Sequence, residues 1–186
     1  MYIKQFKKII NNKKYVFRLL NHKDEKILAD FFLNLSEDIK IKYSPHPFDK
    51  KTAKEICEMK DKKFKRVICI HNKTIVAYCI IYFKLRIWEK MRYNKAGIFI
   101  EDEEVSTIAP CVLDEYQHTG IGSIMFDYVL KVSKVYNKKI IVLWGGVVLK
   151  NHQAINYYKK MNMKILKKWF HPLAKVMCYD MYIDIR

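Results

Sequence analysis

The stretch DEYQHTGIGSIMFDYVLK, residues 114–131, places two of the chain's five glycines, Gly120 and Gly122, immediately ahead of an amphipathic run. Ile121, Ile124, Met125, Tyr128, Val129, Val132 and Val135 recur at helical spacing, which predicts a helix over 121–136 with Asn137 as its left-handed stop. The turn Gln117, His118, Thr119, Gly120, Ile121, Gly122 and Ser123 then sits at the helix N-terminus. There the first N–H groups lack intrahelical acceptors and the dipole is positive. Glycine lets a bulky anion come close to such a backbone. Two phosphate loops do not fit: Gly122 is followed by Ser123 and Ile124 instead of Lys and Ser/Thr. Met125 stands where a dinucleotide fingerprint needs a small residue, and Val142 where it needs an acid. The residues alone leave two readings open, a glycine-relaxed strand-to-helix turn and a phosphate cradle.

Outward from that turn, apolar patterning predicts strands at 15–20, 66–71, 74–83, 105–113, 139–144, 163–170 and 175–185. It predicts helices at 25–35, 51–60 and 152–161 beside the one at 121–136. His71, Asn72 and Lys73 suit a tight hairpin, and Pro45 and Pro47 exclude regular structure from residues 44–50. Residues 85–104 show no periodicity and are expected to form a long irregular insertion. The order, mixing a meander with strand-helix-strand crossovers, predicts an α/β (α+β) fold in a single domain over 1–186. Its expected core is a mixed, mostly antiparallel sheet of six or seven strands with helices on both faces.

Two motifs in order resemble the GCN5-related N-acetyltransferase (GNAT) superfamily. The first, Gln/Arg-x-x-Gly-x-Gly/Ala after a central strand, stands here as Gln117 to Gly122 behind Ala109, Pro110, Cys111 and Val112. The second, Asn-x-x-Ala-Ile-x-x-Tyr-x-Lys-x-Gly-Phe, stands as Asn151 to Met163. It ends in Asn162-Met163 where the family has Gly-Phe; Asn is the next-best left-handed stop and Met can fill the Phe pocket.

That resemblance implies an acetyl-CoA-dependent transfer of an acetyl group directly to a primary amine, either a small molecule or a protein amino group. It implies that residues 117–123 and Asn151 help bind coenzyme A, whose pyrophosphate would rest on the backbone N–H groups of the glycine turn. The pantetheine arm would lie along Cys111 and Val112, with strand 139–144 splayed aside. Tyr158 would protonate the departing thiolate. Glu103 or Glu104, near the start of the preceding strand, is the candidate general base, Glu104 being the one preferred. Gln117 replaces the commoner Arg, which removes one charge contact to the pyrophosphate. Tyr43 to Phe48 would form one wall of the amine site. The 85–104 insertion would supply another wall or a homodimer contact, with Arg86 and Arg92 suited to an acidic group on the substrate.

The formal charge of +17 raises a second class, a basic nucleic-acid-binding module. Only Arg18, Arg66, Arg86, Arg92 and Arg186 among the 36 basic residues are Arg, the residue that forks onto phosphates and base edges. A third reading is a GNAT-like protein that binds acyl-CoA without catalysis. The five cysteines have no metal spacing or paired pattern, so neither a metal nor a disulfide framework is expected, and Cys111 reads as a buried strand residue. No apolar run reaches the length of a signal peptide or membrane span, which points to a cytoplasmic protein with no membrane partner.

Overall fold

The computed structural model describes residues 3–43, 45–172 and 174–186. The chain forms two compact units, Met1–Ile81 with Ala109–Val132, and Tyr82–Ile108 with Ser133–Arg186.

The first unit opens with a hairpin, β1 (Phe6–Ile10) and β2 (Lys13–Leu19), paired antiparallel from Phe6↔Phe17 to Ile10↔Lys13. Its turn holds Asn11 and Asn12 at φ 47° and 61°, the pair of left-handed residues that a two-residue hairpin requires. The sequence reading placed only the second of these strands. β3 (Phe64–His71) pairs with β2, Val16 opposite Ile70, and turns through Asn72 and Lys73, also at positive φ, into β4 (Thr74–Tyr82).

Three helices join β2 to β3: α1 (Glu25–Leu33), α2 (Glu37–Lys42) and α3 (Lys50–Glu58). The entry to α1 is set by Asn21, whose side chain accepts from Lys23 N–H while Asp24 accepts from Asn21 N–H and holds Arg18 in a fork at 2.6 and 2.7 Å. Ser36 caps α2, a helix too short to show a period in the sequence, and Asp49 caps α3 through Thr52 N–H. The core includes Phe17, Leu28, Phe31, Phe32, Ile68, Ile75, Tyr78 and Tyr128, all essentially sealed from solvent.

Strand β5 (Val105–Val112) runs from the second unit into the first, and α5 (Ile121–Val135) runs back. In the second unit β5 pairs parallel with β6 (Ile140–Leu143), from Val105↔Ile140 to Ile108↔Leu143. β9 (Val176–Asp184) takes β8 (Lys164–His171) on one edge. On the other it takes β6 and then the two-residue β7 (Val147–Val148), all antiparallel. The described residues thus make nine strands where six or seven were expected; β1 and β7 are the two that the pattern did not reveal.

Residues 85–104 also depart from expectation. They hold a nine-residue helix, α4 (Ile87–Lys95), and a 3-10 turn at Asp102–Glu104. The helix hides from a periodicity search because its buried positions are Glu89 and Tyr93, while Ile87, Trp88 and Met91 are exposed. Glu89 accepts from Arg86 N–H and from its guanidinium at 2.8 and 3.1 Å, and from Gly145 N–H at 2.9 Å; Tyr93 donates to the Met181 carbonyl. Leu85, Tyr93, Ile100, Val105, Ile140 and Val142 form the apolar cluster at this end of the unit. The remaining helix, α6 (His152–Lys160), connects β7 to β8.

Candidate active site

In the first unit, β5 ends at Val112 and the chain makes a 3-10 turn at Asp114–Tyr116 before reaching α5. Gln117 straps this corner: its Nε2 donates to the Val112 carbonyl at 3.2 Å and to Asp114 at 3.1 Å. Thr119 closes the next link through a 2.6 Å bond to the Tyr116 carbonyl. His118 is exposed and left-handed, φ 60°, and Gly120 follows at φ 90° with open space where a Cβ would stand. The first intrahelical bond runs from Ile124 N–H to the Gly120 carbonyl, and Ile121 is fully buried beneath the turn. The loop therefore presents the N-terminal end of a fifteen-residue helix, and its positive dipole, beneath a gap kept clear by glycine.

Cys111 is buried, and burial, with the Asp114 carboxylate behind it, pushes its thiol pKa well up, so it stays a neutral apolar residue. Tyr43 donates from its hydroxyl to the Ala109 carbonyl at 3.0 Å, which ties the 43–48 segment to the second half of β5. Within that segment Ser44 lies outside the described residues. A contact across 66 positions leaves no local signal, so sequence reasoning named the segment without finding the bond.

In the second unit, Asn151 is the N-cap of α6, its side chain accepting from Ala154 N–H at 3.1 Å. Tyr158 is buried on the same helix with its ring 5.1 Å from that of Tyr157. Its carbonyl accepts from Met163 N–H at 3.0 Å, and Asn162 takes the left-handed stop at φ 61° that Gly-Phe would otherwise provide. β6 stops at Leu143, four residues before β5 does, and the ladder closes with Trp144 N–H on the Ile108 carbonyl.

Glu104 lies just before the first residue of β5, whereas Val112 is its last. Its carboxylate is ion-paired with Lys139, and the structure does not bring it to the carboxyl end of the strand. Arg86 and Arg92 are likewise occupied, contrary to the expectation of an acidic substrate group. Arg86 holds Glu89 and stacks over Trp88 and Trp144; Arg92 forks onto Asp180 at 2.7 and 2.8 Å and stacks over Trp88 and Trp169. Among the described residues no group of three or more His, Cys, Asp and Glu is placed to hold a metal, and no helix is long and apolar enough to cross a membrane.

The family model described as "Acetyltransferase (GNAT) family" matches residues 30–163, a span that includes both motifs. The chain belongs to the GNAT acetyltransferase family. Solved GNAT structures share its fold. The GNAT domain of S. lividans PAT is 13% identical, with TM-score 0.76, over 97% of this chain and 96% of that one. The ribosomal-protein-S5-alanine acetyltransferase from Vibrio fischeri is 12% identical, with TM-score 0.76, over 98% and 97%. A spermidine N-acetyltransferase chimera from Vibrio cholerae and hSSAT is 15% identical, with TM-score 0.66, over 92% and 95%. At such identity the likeness is one of fold. No curated protein sequence matches the chain.

The co-substrate normal to GNAT enzymes is acetyl-CoA, and the glycine turn fits its pyrophosphate. A Cβ on Gly120 would project into the open space above the helix terminus, and φ 90° is a conformation that L side chains rarely adopt. Gln117 is turned back onto Val112 and Asp114 and braces the corner.

Proposed function

We propose that this protein is an acetyl-CoA-dependent N-acetyltransferase that transfers an acetyl group directly to a primary amine, on a small molecule or a protein. The observation that carries the reading is the open, glycine-lined N-terminus of α5 at the end of β5, inside a chain that matches the GNAT family. Bound acetyl-CoA supplies an acyl group already activated as a thioester.

The chain's own residues have separate tasks in this scheme. The N–H groups of residues 118–122 hold the pyrophosphate by hydrogen bonds and helix dipole, without a side-chain cation. The last residues of β5, Cys111 and Val112, offer backbone bonds to the extended arm. Tyr158, buried on α6, gives a proton to the thiolate as it leaves. Glu104, held by Lys139 ahead of β5, is left with a structural ion pair and is not given the base's role.

Release of free thiol from acetyl-CoA across a panel of amines tests the reading. Turnover with one class of amine is expected. Tight coenzyme A binding with no turnover on any amine would replace it with the acyl-CoA-binding alternative.

A further inference from the structure

Four of the five arginines hold a carboxylate: Arg18 with Asp24, Arg86 with Glu89, Arg92 with Asp180 and Arg186 with Asp184. The fifth, Arg66, is 9% exposed and holds none among the described residues. Its Nε donates to the Tyr78 hydroxyl at 3.1 Å, one Nη reaches only the weak acceptor Met59 Sδ at 3.5 Å, and its Cζ lies 5.2 Å from the Phe64 ring. A buried guanidinium without a counter-charge is costly to fold, and buried charges are ordinarily paired or engaged with a ligand.

A second unanswered group stands nearby. The His46 ring lies 5.1 Å from Phe32, 5.2 Å from Phe48 and 6.1 Å from Tyr78. Its Nδ1 is 2.7 Å from the Pro47 carbonyl, which assigns the ring proton to Nδ1, while Nε2 is buried with no partner among the described residues. Tyr43 stacks on Phe48 with centroids 5.8 Å apart and bonds to the Ala109 carbonyl, so this aromatic nest is tied to the second half of β5.

We propose that Arg66, His46 and Tyr78 form an anion site that receives a carboxylate carried by the acceptor, so that the preferred acceptors are amines bearing a carboxylate. The proposal rests on the N-acetyltransferase reading above. A planar carboxylate matches the arginine fork, whereas a phosphate dianion needs more donors than the surrounding rings of Phe32, Tyr43 and Phe48 supply.

The groups that face His46 are the Arg66 guanidinium, which with burial disfavours its charged form, the Asp49 carboxylate and Pro47 carbonyl, which favour it, and the Tyr78 ring. A bound carboxylate offsets the Arg66 charge; His46 then takes one proton from solvent at Nε2 and keeps it, and the Nε2–H donates a hydrogen bond to the ionised anion. Binding is therefore coupled to proton uptake.

The test uses the full chain without acetyl-CoA. N-acetylglycine and its neutral amide, N-acetylglycinamide, are titrated in while the His46 imidazole is followed by nitrogen NMR. The carboxylate is expected to bind, to raise the His46 pKa, and to bind more tightly as pH falls from 8 to 6, with the amide at least tenfold weaker. Arg66→Met should lose at least tenfold in carboxylate affinity, and His46→Gln should bind the carboxylate more weakly at pH 6 than the unaltered chain does and lose the pH dependence, its affinities at pH 6 and pH 8 agreeing. Equal binding of acid and amide, undiminished affinity in Arg66→Met, or preference for inorganic phosphate would overturn the proposal. Should Arg66→Met not fold, the comparison of acid with amide on the unaltered chain decides. Carboxylate binding without turnover of any amine would sink the enzyme reading alone; turnover of neutral amines with no carboxylate preference would sink this one alone.

Discussion

Gly120 and Gly97 make a matched pair. Both have positive φ, 90° and 79°, and both have open space where a Cβ would go, but only Gly120 stands over the start of α5. Alanine at either position forces an L residue into a left-handed backbone at about 1–2 kcal/mol. For a chain of this length that lowers the melting temperature by several degrees in both variants. Only Gly120→Ala should also raise KM for acetyl-CoA, by about tenfold or more, equivalent to about 1.4 kcal/mol. An equal rise in Gly97→Ala would detach the glycine from the phosphate. Tyr158→Phe should act on the other half of the reaction: kcat falls by about 10² or more and KM for acetyl-CoA stays nearly constant, because only the proton donor is removed. An unaltered kcat would return Tyr158 to the role of a core aromatic residue.

Helix α4 stands on Glu89, a carboxylate 1% exposed that answers Arg86 and the N–H of Gly145. Glu89→Ala leaves the Gly145 N–H without its acceptor and the partly exposed Arg86 without its counter-charge, and a loss of about 2–3 kcal/mol is expected. Urea unfolding should show a lower midpoint at unchanged slope. The same residue explains what the sequence concealed. A helix whose inward face is a carboxylate and a tyrosine, and whose apolar residues face solvent, gives a periodicity search nothing to find. The hairpin at Phe6–Leu19 was hidden for a different reason, since its turn depends on two asparagines accepting a conformation usually assigned to glycine. By contrast, α5 and α6 were legible to within a residue or two, because their stripes are apolar and their ends are marked by Asn137, Asn151 and Asn162. The glycine turn was legible for the same reason: its chemistry is local. Arg66 and His46 were not, because a buried arginine with no ion-pair partner among the described residues is a property of the folded chain alone.

Acid should weaken the whole protein in a definable window. Burial lowers the pKa of His46, with the Arg66 charge adding to it, and lowers that of His171, with Arg86 and Arg92 adding to it. Well above pH 6.5, by about pH 8, these rings are neutral folded or unfolded. As pH falls through 6.5 the unfolded chain takes up protons first, so stability declines until the folded-state values are passed. The melting temperature at constant ionic strength should therefore drop between pH 7.5 and 5.5, and the double variant His46→Gln, His171→Gln should flatten that decline. The net charge of +17 acts on another axis. It comes mostly from lysine, a strongly hydrated point charge, so any retention on DNA should arise from counterion release and not from base reading. Duplexes of unrelated sequence should bind alike, and affinity should fall steeply between 50 and 200 mM salt, by about 10³-fold or more if six or more phosphates are neutralised. A duplex sequence that holds the protein at 200 mM salt while others release it would restore the nucleic-acid reading.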